Sequence, residues 1–492
     1  MSSASADCDV LIVGAGPVGL FLAHQCARRG LRWRLVEMRE GQSVHSKALA
    51  LFPRTLEIFD MAGLADRFLA VANRVTWVAV ASARRELTRV QFAPAGTPYP
   101  FVGMVPQDVT ERILADALLE AGGRIAYQTK FVSASQHDDC VRVTLDRNGE
   151  KSEVTAAFVV GCDGAHSAVR HAIDLPFAGG QYKASFMLAD VETNETLPAD
   201  EMQLCPSALG PLAIFPMSAT RRRIVATIDQ AEGDAPSLEL VRRVLAERAP
   251  AGIAALSLRW SSYFRIHHRQ VAKLRVGRMF VAGDAAHVHS PFGGQGMNTG
   301  LQDVWNLAWK LDLAVHGLGN ERLLDSYSLE RRPVIKGVIA TTDFLTRAMG
   351  TASRAAQAVR NLVLPVVSRL PTFRRRFVGR LSELDIAYGG SPIVEGQGRR
   401  YLDDSMRGGK GIGTRFLLVV GERCDAATTD AARQFAASRA DLVEFRSVPG
   451  AVLMLVRPDG YAALEAAVSA GSAALASVRS VLQRQSGAAS RP

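Results

Sequence analysis

Residues 8–19, CDVLIVGAGPVG, decide the fold. The apolar run CDVLIV reads as a buried strand. GAGPVG then makes a tight turn, and a helix is expected from Pro17 to Arg29, stopped by Gly30. Gly14, Gly16 and Gly19 form G-x-G-x-x-G between the two elements. The first permits the turn, the second lets backbone approach a pyrophosphate, and the third allows the helix to pack closely. Gly16, Pro17 and Val18 open the helix, whose N-terminus then faces the phosphates. A second strand, Trp33 to Glu37, closes the βαβ unit. Glu37 stands 21 residues after Gly16, where a carboxylate can accept hydrogen bonds from ribose hydroxyls. This unit does not separate NAD from FAD, which share their ADP half.

Outward from this unit, the chain of 492 residues suggests about three structural units. With 48% hydrophobic, 22% charged and 7% aromatic residues it is an ordinary globular sequence, which excludes disordered and fibrous classes. The net charge of +10 suits an anionic ligand, a membrane surface or a nucleic acid. No nucleic-acid module signature is present, so nucleic acid is not expected. Seven arginines and no acid lie between Thr351 and Arg380, and this run reads as a solvated helical face. Six scattered cysteines form no C-x-x-C pair, which fits a reducing compartment. No signal peptide and no membrane span is read, so the expected location is cytoplasmic.

A further helix is expected over Asp108–Ala121. AAFVVGCDG reads as a strand ending in an Asp-Gly turn. Residues 181–271 carry short β-prone runs and suggest an inserted sheet. GRMFVAGDAAH returns to strand and turn. A glycine-rich loop then leads into a helix with Leu301, Val304, Ala308, Leu311 and Val315 on one face, ended by Gly317. Punctuation around 388–398 places a boundary near 390, followed by a small α/β unit.

Three separated motifs, VVGCDGAHSAVR (159–170), GRMFVAGDAAH with Asp284, and SPFGGQGMN (290–298), resemble the flavoprotein aromatic hydroxylases, the family of para-hydroxybenzoate and phenol hydroxylases. The resemblance runs from residue 9 to about 335 and ends in SYSLERRP. It implies an α/β fold with a Rossmann-like FAD-binding domain in two parts (1–180 and 272–390), a β-rich substrate domain (181–271) and a thioredoxin-like C-terminal domain (391–492). Asp284 would bond the ribitol of FAD, and Gly296, Met297 and Asn298 would offer backbone groups to the pyrimidine side of the flavin. A helix N-terminus aimed at that anionic region favours reduction. Gln107 matches a flavin-chain contact. Asp163 and Gly164 match a turn associated with FAD and the nicotinamide donor, with Arg170 completing it. Lys47 stands where the family often has arginine, and it lacks the planar fork of a guanidinium. Phe292 stands where alanine is common, and Pro291 and Phe292 are expected to line the substrate pocket beside the flavin.

The implied reaction is hydroxylation of a phenolic or polycyclic polyketide-like ring, with NADPH or NADH and O2, through a flavin C4a-hydroperoxide. The protein is expected as a monomer or homodimer, and no acid or base is assigned. Two alternatives remain. One is an FAD-bearing protein that sequesters an aromatic ligand; the other is a flavin halogenase, although the Trp-x-Trp-x-Ile-Pro run is missing. His287 and His289 lack a third ligand in spacing and read as loop hydrogen-bonding residues, so no metal is expected. Cys424 has no partner cysteine, and Trp305 and Trp309 read as core or interface.

Overall fold

The computed structural model describes residues 6–486 apart from 44–45, 83–84, 195–196, 232, 352, 411–412, 414 and 467–470; for 182–184, 266, 291, 354 and 472 it describes the backbone alone. A mainly parallel sheet carries the first motif. β1 (Cys8–Val13) is flanked by β2 (Trp33–Val36) and β3 (Glu150–Gly161), and β4 (Met279–Val281) lies beyond β3. Val13 is in register with both Val36 and Gly161, and Gly161 with Val281. Four strands therefore finish level, and the Gly14 turn, Glu37, the Cys162–Gly164 turn and the Gly283–Ala285 turn all emerge on one rim. In open α/β sheets that rim is where ligands bind. Val10, Leu11 and Ile12 are fully buried, as a strand covered on both faces requires.

Helices α1 (Pro17–Arg28), α2 (Gln107–Glu120) and α3 (Gly296–Val315) cover this sheet. They begin and end within a few residues of the expected positions. Helices α4 (Glu321–Met349), α5 (Arg354–Val367) and α6 (Pro371–Ser382) follow.

A second sheet of eight strands takes most of its residues from 181–271. It also recruits Trp77–Ser82 and Arg85–Gln91 from far upstream and His287–Val288 from downstream. Trp77–Ser82 pairs in parallel with Glu201–Cys205, giving the backbone groups of that strand a partner that no local pattern announces. Alternation sorts the two faces. Met187, Ala189, Ile224 and Ala226 pack on the far side with Val241 and Val244 of the helix Leu238–Arg248. Leu188, Arg223 and Val225 point the other way, toward the parallel sheet's rim.

The C-terminal residues form a four-stranded sheet in the order Val443–Val448, Phe416–Gly421, Leu453–Val456, Ala462–Ala466. The first pair is parallel and the others antiparallel, with helices Ala426–Ser438 and Gly471–Gln485. This unit is fastened to α3 and α4 by a buried polar cluster. Arg457 Nη1 and Nη2 donate to the two Glu330 carboxylate oxygens at 2.6 and 2.9 Å, and Lys310 Nζ donates to Glu330 at 2.8 Å. Trp305 Nε1 and Trp309 Nε1 both donate to Asp459. The tryptophans thus serve the interface between the two units.

Candidate functional site

Each glycine of the phosphate loop meets a different environment. Gly14 has φ +100°, and a Cβ there would stand 2.6 Å from the Cys162 carbonyl oxygen; a Cβ on Gly19 would stand 1.9 Å from the Gly14 carbonyl oxygen. Around a Cβ on Gly16 there is open space. The outer two glycines are therefore demanded by the protein itself, and the middle one leaves room for a ligand.

Glu37 is buried at the end of β2. It accepts from Ala15 N–H at 2.7 Å and from both the backbone N–H and the Nε of Arg39 at 3.0 Å. Burial raises its carboxyl, but the bonds from Arg39 and Ala15 outweigh this and hold it below the usual carboxylate range. Arg39, unnoticed in the sequence, orients the acid.

A cavity of about 460 Å³ opens from this rim toward the second sheet. Gly16, Pro17, Val18, Lys47, Gln107, Gly164, Asp284, Gly296 and Met297 line it from one side. Leu188, Phe215, Arg223 and Val225 line it from the other. Two helix N-termini face it. Neither α1 nor α3 has a side-chain cap at its start or an acidic residue in its first turn, so both leave unsatisfied amides and partial positive charge.

Asp284 opens to the cavity while protein surrounds it, and this burial raises its carboxyl; His287 and Lys47 pull in the opposite direction. Gln107 accepts from Ala48 N–H at 3.1 Å and donates to Glu111 at 3.0 Å, so one side chain pins the 46–48 segment along the cavity wall.

Several expected residues have other employment. Asp163 turns inward. Its Oδ2 accepts from Ala168 and Val169 N–H, shaping the turn, while Cys162 and Gly164 line the cavity. Arg170 donates to the carbonyls of Ala165 and Ala285, tying this turn to the one that carries Asp284. Asn298 is fully buried and spends its side chain on Phe52 N–H, at 2.9 Å, and the Ala50 carbonyl, at 2.8 Å. Phe292 packs 5.7 Å from the Phe186 ring, in a cluster with Leu188 and Val225, and so backs the cavity wall where it was expected to line it. The side chain of Pro291 lies outside the described residues.

The start of α3 is fixed by a buried charge relay. His287 Nε2 donates to Asp303 Oδ2 at 2.7 Å, and Arg331 Nε donates to Asp303 Oδ1 at 2.7 Å. Arg331 reaches on to Tyr388 Oη and to the Thr299 carbonyl. Burial raises the Asp303 carboxyl, yet Arg331 and His287 together hold it below the ordinary range. His289 donates from Nδ1 to the Ser290 carbonyl at 3.0 Å and lines the cavity. Burial lowers it to about 4, so its ring is neutral at physiological pH. Among the described residues no group of three His, Cys, Asp or Glu side chains could hold a metal ion.

The sequence reading missed Arg223. It lies opposite Asp190 on the neighbouring strand, donates to both its oxygens at 2.7 and 2.9 Å, and reaches the Ala48 carbonyl at 3.0 Å. The signal available was an Arg and an Asp at inward positions of otherwise apolar strands, and it becomes visible once the register is known.

A glycine cradle, two open helix ends and an apolar far wall around one cavity define a protein that holds an extended dinucleotide against a second ligand. Residues 7–342 match the family described as FAD binding domain, and the chain belongs to that family. It is 38% identical over 408 residues to 6-methylpretetramide 4-monooxygenase of Streptomyces rimosus, spanning 79% of this chain and 71% of that protein. It is 33% identical over 502 residues to 12-dehydrotetracycline 5-monooxygenase/anhydrotetracycline 6-monooxygenase of Streptomyces rimosus subsp. rimosus, spanning 94% and 96%. The solved structure of OxyS anhydrotetracycline hydroxylase from Streptomyces rimosus superposes with a TM-score of 0.78 at 29% identity, covering 98% of this chain and all of that one. The protein is a flavin-dependent aromatic monooxygenase, and FAD is its cofactor.

Proposed function

We propose that this monooxygenase hydroxylates a polycyclic, polyketide-like aromatic, with NAD(P)H as reductant and O2 as oxygen donor. The observation that carries this is the cavity itself, in which one volume joins the Gly16 cradle and the α3 N-terminus to an apolar wall on the second sheet. The fit to FAD rests on the open space at Gly16, the two uncapped helix ends, and a carboxylate at Asp284 that faces the cavity without an acidic neighbour. Bound there, FAD would supply the redox chemistry and oxygen activation.

In this reading Gly14, Gly16, Pro17, Val18 and Gly19 hold the pyrophosphate and Glu37 the adenosine ribose. Asp284 and Gln107 hold the flavin's chain, and the amides of Gly296, Met297 and Asn298 face the ring. Asp163 acts indirectly, by shaping the turn at Gly164. Leu188, Phe215 and Val225 exclude water and position the aromatic substrate, with Arg223 placed to meet a polar substituent. Exclusion of water matters because uncoupled oxidation would release peroxide. The neutral His289 ring adds no positive charge of its own beside the α3 amides.

The domain assignment is part of the same reading. Residues 1–180 and 272–390 bind FAD, 181–271 roof the substrate, and 391–492 form a thioredoxin-like unit, a reading supported by the βαβ–ββα order of the described elements between Phe416 and Gln485. Cys424 has no cysteine partner there, so the unit has no dithiol chemistry. The six free cysteines suit a cytoplasmic location.

The test is to follow NADH and NADPH oxidation by the purified holoprotein with tetracyclic and simple phenolic substrates under labelled oxygen. Product heavier by one labelled oxygen atom, with NAD(P)H consumption matched to product, is the expected result. Tight ligand binding with no stimulated oxidation would replace catalysis with sequestration.

A further inference from the structure

Helix α5 turns its apolar side outward. Val359, Leu362, Val363 and Val366 follow the i, i+3, i+4, i+7 spacing and so share one face, an arc of roughly 100°. All four are exposed, Leu362 by 74% and Val366 by 60%, and Leu370 just past the helix extends the stripe. The helix is held to the body from its other sides. Ser368 Oγ lies 2.7 Å from Thr88 Oγ1, and Arg360 Nη1 donates to the Ala348 carbonyl at 3.1 Å. The arginine run expected to be a solvated face is mostly exposed, and α5 adds to it an apolar stripe that is exposed as well.

The two helices themselves carry charge of one sign, although the exposed Asp385 lies against α6. Residues 351–380 contain seven arginines and no acid. Arg369, Arg374, Arg375, Arg376 and Arg380 are all exposed at the end of α5 and along α6. Phe373 and Phe377 stack at 6.1 Å on α6, fixing the helix segment that carries three of these arginines.

We propose that α5 and α6 dock on an anionic lipid bilayer, lying in its interface with the apolar stripe against the acyl boundary and the arginines among the headgroup phosphates. An exposed apolar stripe beside a basic flank is the chemistry of an interfacial helix, and each basic residue close to an anionic surface strengthens binding about fivefold. A second copy of the chain fits less well, since a twofold contact through the stripe would bring the two arginine clusters, five exposed arginines on each copy, close together. No described helix is long and apolar enough to cross a membrane, so this attachment is peripheral. The inference is independent of the reaction proposed above.

The experiment is cosedimentation of the full-length holoprotein with vesicles of phosphatidylcholine alone or mixed with phosphatidylglycerol. Binding to the mixed vesicles that falls at least tenfold on raising salt is expected. Leu362→Glu with Val366→Glu should abolish it. Arg374→Gln with Arg375→Gln and Arg376→Gln should weaken it by a hundredfold or so, at about fivefold per charge. These are surface positions, and unchanged flavin content and circular dichroism would show that the variants fold. A Leu362→Trp variant should show a blue shift in fluorescence on adding mixed vesicles. Three results would each overturn the proposal: no binding to either vesicle, binding indifferent to Leu362→Glu, or a dimer in analytical ultracentrifugation that Leu362→Glu splits.

Discussion

The two ends of the cavity are built on different principles. At the Gly14–Gly19 turn the backbone makes the site, and the requirement on side chains is mostly that they be absent. At the α3 end the backbone is equally open, but it is held in place by two of the helix's own side chains that tie it to three other segments: Asp303 pairs with His287 and Arg331, and Asn298 reaches to the backbone of Ala50 and Phe52. A site made from backbone fails by steric intrusion. A site held by buried charge fails when one member is removed.

The largest expected effect breaks the second end. Asp303→Ala leaves Arg331 buried without its counter-charge and should cost about 3–5 kcal/mol in urea unfolding, with FAD lost on gel filtration. The steric end gives a paired test. Gly19→Ala places a methyl 1.9 Å from a carbonyl oxygen and should destabilise even the apoprotein, by about 2–3 kcal/mol. Gly16→Ala meets only open space, so the apoprotein's Tm should stay within a degree or two while FAD affinity drops. Equal loss of Tm in the two variants would erase the distinction drawn here.

Asp284→Ala lies between the two ends and tests whether they serve one ligand. It should weaken FAD binding about tenfold or more, the worth of a charged hydrogen bond, as read by flavin fluorescence on titration. Unchanged affinity would remove Asp284 from the site.

The smallest effect concerns pH. Glu383 sits at the end of α6 with φ +62°, accepts from Gln302 at 2.5 Å, and burial pushes its carboxyl up to about 8. A raised carboxyl pKa favours the folded state in its protonated form. Its contribution is full below about pH 4.5 and is lost as pH rises through 8. Glu383→Gln should flatten that decline between pH 5 and 8 in chemical unfolding.

This contrast also explains what could be read in advance. The phosphate loop, Glu37 and the three flanking helices were legible because each is a local pattern: glycine spacing, an acid at a strand end, a 3.6-residue stripe. The partners of the second sheet were not. Trp77–Ser82 joins it across more than a hundred residues, and Arg223 acquires meaning only opposite Asp190. Asn298 was read for its backbone, but what the fold draws on is its amide side chain. Phe292 was expected to line the cavity and packs behind its wall, since sequence order carries no information on which way a loop side chain faces.

The Glu330–Arg457–Asp459 cluster has a consequence for anyone dissecting this molecule. Cleaving the chain near residue 390 would separate Glu330 from Arg457 and leave each fragment with only part of the cluster, Lys310 beside Glu330 in one and Asp459 beside Arg457 in the other. The C-terminal hundred residues behave as a keystone, and shortened versions or swaps with relatives should succeed only when both halves of that ionic joint travel together.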